Sequence, residues 1–137
     1  MITKKPKIAF ICVHNSCRSQ IAEALGKHLA SDVFESYSAG TEIKPQINQD
    51  AVRLMKKLYD IDMKQDQYSK LIKDIPEPDI AISTGCDIGC PFIGRPFDDD
   101  WKLSDPTGKS DEEFEKVIGE IKEKILLMKQ KIIVNKA

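Results

Sequence analysis

A chain of 137 residues with 41% apolar content has the length of one ordinary domain and enough hydrophobic material for a core without disulfide staples. Its 21 basic and 22 acidic residues leave a net charge of -1, which excludes the overall basic excess usual in nucleic-acid and anionic-membrane binders. No apolar run approaches the length of a membrane span. The basic start, Met1 to Lys7, followed by Ile8-Ala9-Phe10-Ile11, imitates a signal peptide. The apolar run is too short, however, and Cys12-Val13-His14-Asn15-Ser16 is not a small-residue cleavage site. The chain reads as one cytoplasmic domain over residues 1–137, and its balanced charge fits a monomer.

Taken in order, residues 7–11 predict a short buried strand. Residues 16–30 predict a helix with Ile21, Ala24, Leu25 and Leu29 at helical spacing. A β-branched and aromatic stretch, residues 33–38, predicts a second strand stopped by Ala39-Gly40. Residues 48–59 predict a helix with Val52, Met55 and Tyr59 on one face. A short helix is expected over residues 67–73, ended by Pro76 and Pro78. Residues 79–84 predict a third strand running into a Gly-Cys loop, and residues 95–98 a short fourth strand. The last helix has Ser110 and Glu113 as a capping box and one apolar stripe of Phe114, Val117, Ile118, Ile121, Ile125 and Met128. Strands alternating with helices imply an α/β fold: a four-stranded parallel sheet with helices on both faces. Ligands bind such sheets beyond the carboxyl ends of the strands. The loops there, after the first and third strands, contain all four cysteines. In a reducing compartment, cysteines at such a place point to thiol chemistry or metal binding rather than to staples.

The first loop is Cys12-Val13-His14-Asn15-Ser16-Cys17-Arg18-Ser19. A strand-to-helix loop can aim successive amides at one point, and the helix end adds partial positive charge. Arg18 adds a two-pronged donor for a tetrahedral anion. Cys12 at the mouth of such a positive concavity is favoured as thiolate and suited to attack a bound oxyanion. Residues 12–19 are therefore the expected substrate-binding loop. Cys17 reads either as a redox partner for Cys12 or, preferably, as a small core side chain. His14 reads as an exposed loop residue, and His28 carries no role.

The loop, continuing through Gln20-Ile21-Ala22-Glu23-Ala24 and joined by Tyr37-Ser38-Ala39-Gly40-Thr41 and Asp105-Pro106, resembles the low-molecular-weight tyrosine phosphatases and their arsenate-reducing relatives. The resemblance implies that Cys12 is the nucleophile and that Asn15 holds the loop through backbone contacts. It implies that Ser19 hydrogen-bonds the Cys12 sulfur and that Asp105 protonates the departing oxygen. Without it, Asp105-Pro106 would read as turn chemistry, and the neighbouring Asp98-Asp99-Asp100 run as a solvated face.

Gly85-Cys86-Asp87-Ile88-Gly89-Cys90-Pro91 selects among the relatives. In the resembled thioredoxin-coupled arsenate reductases, a pair in this loop receives the oxidation. Cys86 attacks Cys12 and releases arsenite, then Cys90 attacks Cys86, and a thioredoxin-type donor reduces the Cys86–Cys90 disulfide. The resembled reductases usually have more than the three residues that separate the pair here. The alternative is a phosphatase acting on phosphate monoesters through a Cys12 phosphocysteine. Against it, Thr107-Gly108 follows Asp105-Pro106, where many phosphatases carry a tyrosine pair. A zinc module built from Cys12, Cys17, Cys86 and Cys90 lacks the usual paired spacing. The resemblance also brings a potassium site built partly from an acid in the segment equivalent to residues 68–71. Lys70 stands at that position, so its ammonium is expected beside Asn15, Glu23 and Ser38. No metal and no cofactor are expected.

Overall fold

The computed structural model describes residues 5–42, 44–85 and 96–136. Four parallel strands, β1 (Lys7–Ile11), β2 (Glu35–Ala39), β3 (Ile80–Ser83) and β4 (Asp99–Asp100), form a sheet in the order β2-β1-β3-β4. Helices α1 (Arg18–Ala30), α2 (Gln49–Tyr59), α3 (Met63–Asp66) and α4 (Asp111–Lys136) and a 3-10 turn (Ile72–Asp74) complete the described chain. β1 is central and its residues 8–11 are all buried, as a continuous apolar run requires in a parallel sheet. The chain leaves β1 toward β2 on one side and returns to β3 on the other. The carboxyl ends of β1 and β3 thus form the switch point where α/β sheets hold ligands.

Alternation along β1 divides the core. Ile8 and Phe10 join Ile21, Leu25, Leu54, Met55, Phe114, Ile118 and Ile121 in the large cluster. Ala9 and Ile11 join Ala39 in a smaller one, packed by Ile72, Ile75 and Phe97. The α4 stripe is buried from Phe114 through Ile125, with Met128 half-buried against it. Ser110 Oγ accepts the Glu113 amide at 3.3 Å, one arm of the capping box.

Several boundaries differ from expectation, each for a local reason. α1 begins at Arg18, because residues 13–17 form the loop. β2 begins at Glu35, because the Val33 and Phe34 amides both close on Ala30 O as the end of α1. Asn48 caps α2, accepting from the amides of Asp50 and Ala51, and the buried face is Ala51, Leu54 and Met55. The predicted helix over residues 67–73 is absent. A short helix capped by Asp62 ends at Asp66, and Gln67 and Leu71 are extended. Gly40 draws that strand-like segment in: its amide donates to Lys70 O at 2.9 Å, and its carbonyl accepts the Ile72 amide at 3.1 Å. The fourth strand lies at residues 99–100 rather than 95–98. Of the latter, Arg95 is outside the described residues. No described helix is long and apolar enough to cross a membrane.

Candidate active site

Cys12 prolongs β1: its amide donates to Ala39 O at 3.3 Å, while the Thr84 amide donates to Ile11 O at 3.0 Å. The sulfur therefore stands beyond the ends of three strands. It receives the Asn15 amide at 3.2 Å and lies 3.0 Å from Ser19 Oγ. Asn15 settles the direction of that second contact. Its Nδ2 donates to Ser19 Oγ at 2.9 Å, which leaves the Ser19 hydroxyl proton for the sulfur. The amide's orientation is fixed in turn, because Oδ1 accepts from Gln20 Nε2 and from the Lys70 amide, both at 2.9 Å. Asn15 adopts φ 51°, a left-handed conformation that asparagine tolerates better than most residues.

Among the described residues the amides of Val13, His14, Ser16 and Cys17 find no acceptor. Together with the start of α1 they have the makings of an anion-binding nest. Gly40 lets β2 approach this loop. A Cβ there would lie 2.4 Å from Val13 O and 2.8 Å from Cys12 O.

Arg18 is 8% exposed and its Nη1 donates to Leu103 O at 2.7 Å. Leu103 is held by its amide on Thr84 O at 3.0 Å. The guanidinium is therefore tied to the segment that also carries Asp105. Gly85, at φ +144°, gives it room, since a Cβ there would come within 2.6 Å of Nη1. Cys12, Arg18, Gly85, Asp105 and Thr107 line one cavity of about 500 Å³, as bounded by the described residues. That is more than a single tetrahedral ion needs, so a second reactant has space.

Asp105 accepts from the Thr107 hydroxyl at 2.7 Å and from its amide at 3.0 Å. Burial pushes its carboxyl up, but these bonds, with Arg18 and Lys109 nearby, hold it below the usual carboxylate range. Burial, with Asp105 adding to it, pushes the Cys17 thiol up to about 12, despite a hydrogen bond with Thr107. Cys17 is a protonated thiol at neutral pH and sits in the core cluster, which favours the core reading. His14 is exposed and pairs with Glu42 at 3.3 Å. Asp98, Asp99 and Asp100 are exposed and do not line the cavity.

Cys12, Asn15, Arg18, Ser19 and Asp105 are thus brought together. Cys86 and Cys90 lie outside the described residues. The sequence reading missed Gln20 and Gln67. Gln67 Nε2 donates to Gln20 Oε1 at 2.7 Å, which turns Gln20 Nε2 toward Asn15 and Tyr68 O. Thr107 was also missed. The potassium site does not fit this chain. Lys70 Nζ itself lies 3.2 Å from Glu23 Oε1 and 3.5 Å from Ser38 Oγ, and Lys70 reaches Asn15 by its backbone amide.

The family model for the low molecular weight phosphotyrosine protein phosphatases matches residues 7–83. Arsenate reductase 1 of Staphylococcus haemolyticus is 35% identical over 133 residues, 94% of this chain and 98% of that protein. A solved structure described as an arsenate reductase in the phosphate binding state superposes with a TM-score of 0.81 at 33% identity, covering 93% of this chain and 98% of that one. A thioredoxin-dependent arsenate reductase of Corynebacterium glutamicum gives a TM-score of 0.73 at 27% identity, covering 98% of this chain and 65% of that one.

Proposed function

The chain belongs to the low-molecular-weight phosphotyrosine protein phosphatase family, and on that premise we propose that it is an arsenate reductase with Cys12 as its nucleophile. One observation carries the reading: the Cys12 sulfur faces a cavity shared with Arg18 and Asp105 and is gripped by the Asn15 amide and the Ser19 hydroxyl. Those donors stabilise a sulfur anion, and the loop amides and guanidinium suit a four-oxygen ion.

In the first step the Cys12 thiolate attacks arsenic, an S–As bond forms, and a hydroxyl leaves as water with a proton from Asp105. Asp105 by itself is ionised at neutral pH. A bound anion beside it raises its affinity for a proton, and dihydrogen arsenate brings that proton in addition to the one on the departing hydroxyl. In the second step the Cys86 thiolate attacks the Cys12 sulfur. An S–S bond forms, the S–As bond breaks, and its electron pair stays on arsenic, which leaves as arsenite. Cys90 then attacks Cys86 and frees Cys12 as thiolate. A thioredoxin-type dithiol reduces the resulting Cys86–Cys90 disulfide. The support for this pair is position: Gly85 lines the cavity against Arg18, and Cys86 is the next residue. The relative described as thioredoxin-dependent supports the donor class. The reading extends to a monomeric, cytoplasmic domain acting in arsenical resistance.

The test follows NADPH loss with arsenate, thioredoxin and thioredoxin reductase. Turnover that disappears in each of Cys12→Ser, Cys86→Ser and Cys90→Ser supports the relay. Hydrolysis of an aryl phosphate that is indifferent to Cys86→Ser, with no arsenate turnover, assigns the site to a phosphatase instead.

A further inference from the structure

Lys70 is 8% exposed, and no step above uses it. Its ammonium donates to Glu23 Oε1 at 3.2 Å, Tyr68 O at 3.3 Å and Ser38 Oγ at 3.5 Å. The Tyr68 ring centroid lies 5.1 Å away. Carboxylate, carbonyl and hydroxyl oxygens together are the donor set of a hard cation. Glu23 is 3% exposed and fully engaged: Ser38 Oγ also donates to Oε1 at 2.5 Å, and Lys27 Nζ to Oε2 at 2.5 Å. The backbone of the same lysine faces the catalytic loop. Its amide donates to Asn15 Oδ1, and its carbonyl accepts from Gly40. One residue thus joins a buried charge pair to the asparagine that sets both contacts of the Cys12 sulfur.

We propose that Lys70 is a positioning residue, a covalently attached cation that stands where a monovalent metal ion would bind. By drawing residues 68–70 onto Glu23 and Ser38 it holds Asn15, and through Asn15 the Cys12 sulfur, in the attacking geometry. Arsenate turnover is then indifferent to potassium. This deepens the arsenate-reductase reading. Its test therefore includes the alkylation of Cys12, which requires no turnover.

The wild type, Lys70→Ala and Lys70→Met are titrated with KCl against choline chloride at constant ionic strength. Three quantities are read: kcat and KM for arsenate, the pH profile of Cys12 alkylation by iodoacetamide from peptide mapping, and the thermal midpoint. The wild type is expected to be flat in KCl. In choline, Lys70→Ala loses about 100-fold in kcat/KM, the cost of a roughly 1 Å misplacement of a reacting group. Its alkylation profile shifts, and KCl restores both, because the deletion leaves an oxygen-lined hole of cation size. Lys70→Met falls as far and stays there, since its stem fills the hole without a charge. A wild type that requires KCl overturns the proposal. So do variants with wild-type kinetics and alkylation, and so does a Lys70→Ala loss that KCl leaves unchanged with the alkylation profile unmoved. If the wild type does not reduce arsenate, the alkylation arm alone decides, and the two readings fail separately.

Discussion

Replacing Asn15 tests the site at its most connected residue. The side chain is fully buried and makes three hydrogen bonds. Asn15→Ala orphans the Lys70 amide, which costs roughly 1–3 kcal/mol in the interior. Gln20 Nε2 is spared, because it retains Asn15 O at 3.0 Å and Tyr68 O at 2.9 Å. Loss of the bond to Ser19 removes about 1 kcal/mol, and alanine at φ 51° adds about 1 kcal/mol of backbone strain. The sum is about 3–5 kcal/mol, a large share of the roughly 5–15 kcal/mol typical of a domain. Asn15→Gly suffers the same bond losses without the strain, so it should be more stable than Asn15→Ala by about 1 kcal/mol. The single tryptophan, Trp101, is buried against Phe10 and reports urea unfolding by fluorescence. Both variants should also lose phosphate protection of Cys12 against alkylation, since the Ser19 proton is no longer directed at the sulfur. A loss below about 1 kcal/mol, or a glycine variant weaker than the alanine one, refutes the reasoning.

Thr107→Val removes a donor from Asp105, so the carboxyl should titrate at higher pH than in the wild type. A depressed carboxyl stabilises the fold above its unfolded value, about 3.9, and that contribution disappears as pH falls through the folded value. The stability difference between wild type and Thr107→Val should therefore be present at neutral pH and close in acid, read by urea midpoints and carboxyl NMR titration. Gly40→Ala forces a Cβ against the carbonyls of Val13 and Cys12. It should cost about 1–3 kcal/mol and abolish phosphate protection of Cys12. Cys17→Ala should retain arsenate turnover at a stability cost of about 1 kcal/mol, because its thiol stays protonated; loss of the coupled NADPH signal would restore the redox-partner reading.

The first three strands, α1, α4 and the Cys12–Arg18 loop were legible because their signals are local: an apolar run, a polar loop, a periodic stripe and a capping serine. The helix expected over residues 67–73 does not form because their conformation is set by Gly40 and Asn15, which lie far away in sequence. Gln20 and Gln67 are polar residues at unremarkable positions. Their importance arises only when the chain brings together side chains 47 residues apart. Thr107 is an ordinary residue after Asp105-Pro106 in sequence, and only its approach to Asp105 and Cys17 gives it a role.

The nucleophile's loop rests on a strap made much later in the chain: the acceptor oxygen of Asn15 is filled by an amide 55 positions downstream. A nascent chain carrying the whole signature from Cys12 to Ser19 but nothing past residue 60 lacks that strap. Such a fragment should show the thiol of an ordinary peptide. A sulfur whose contacts depend on the folded loop in this way would not be presented in its attacking geometry by a half-made chain.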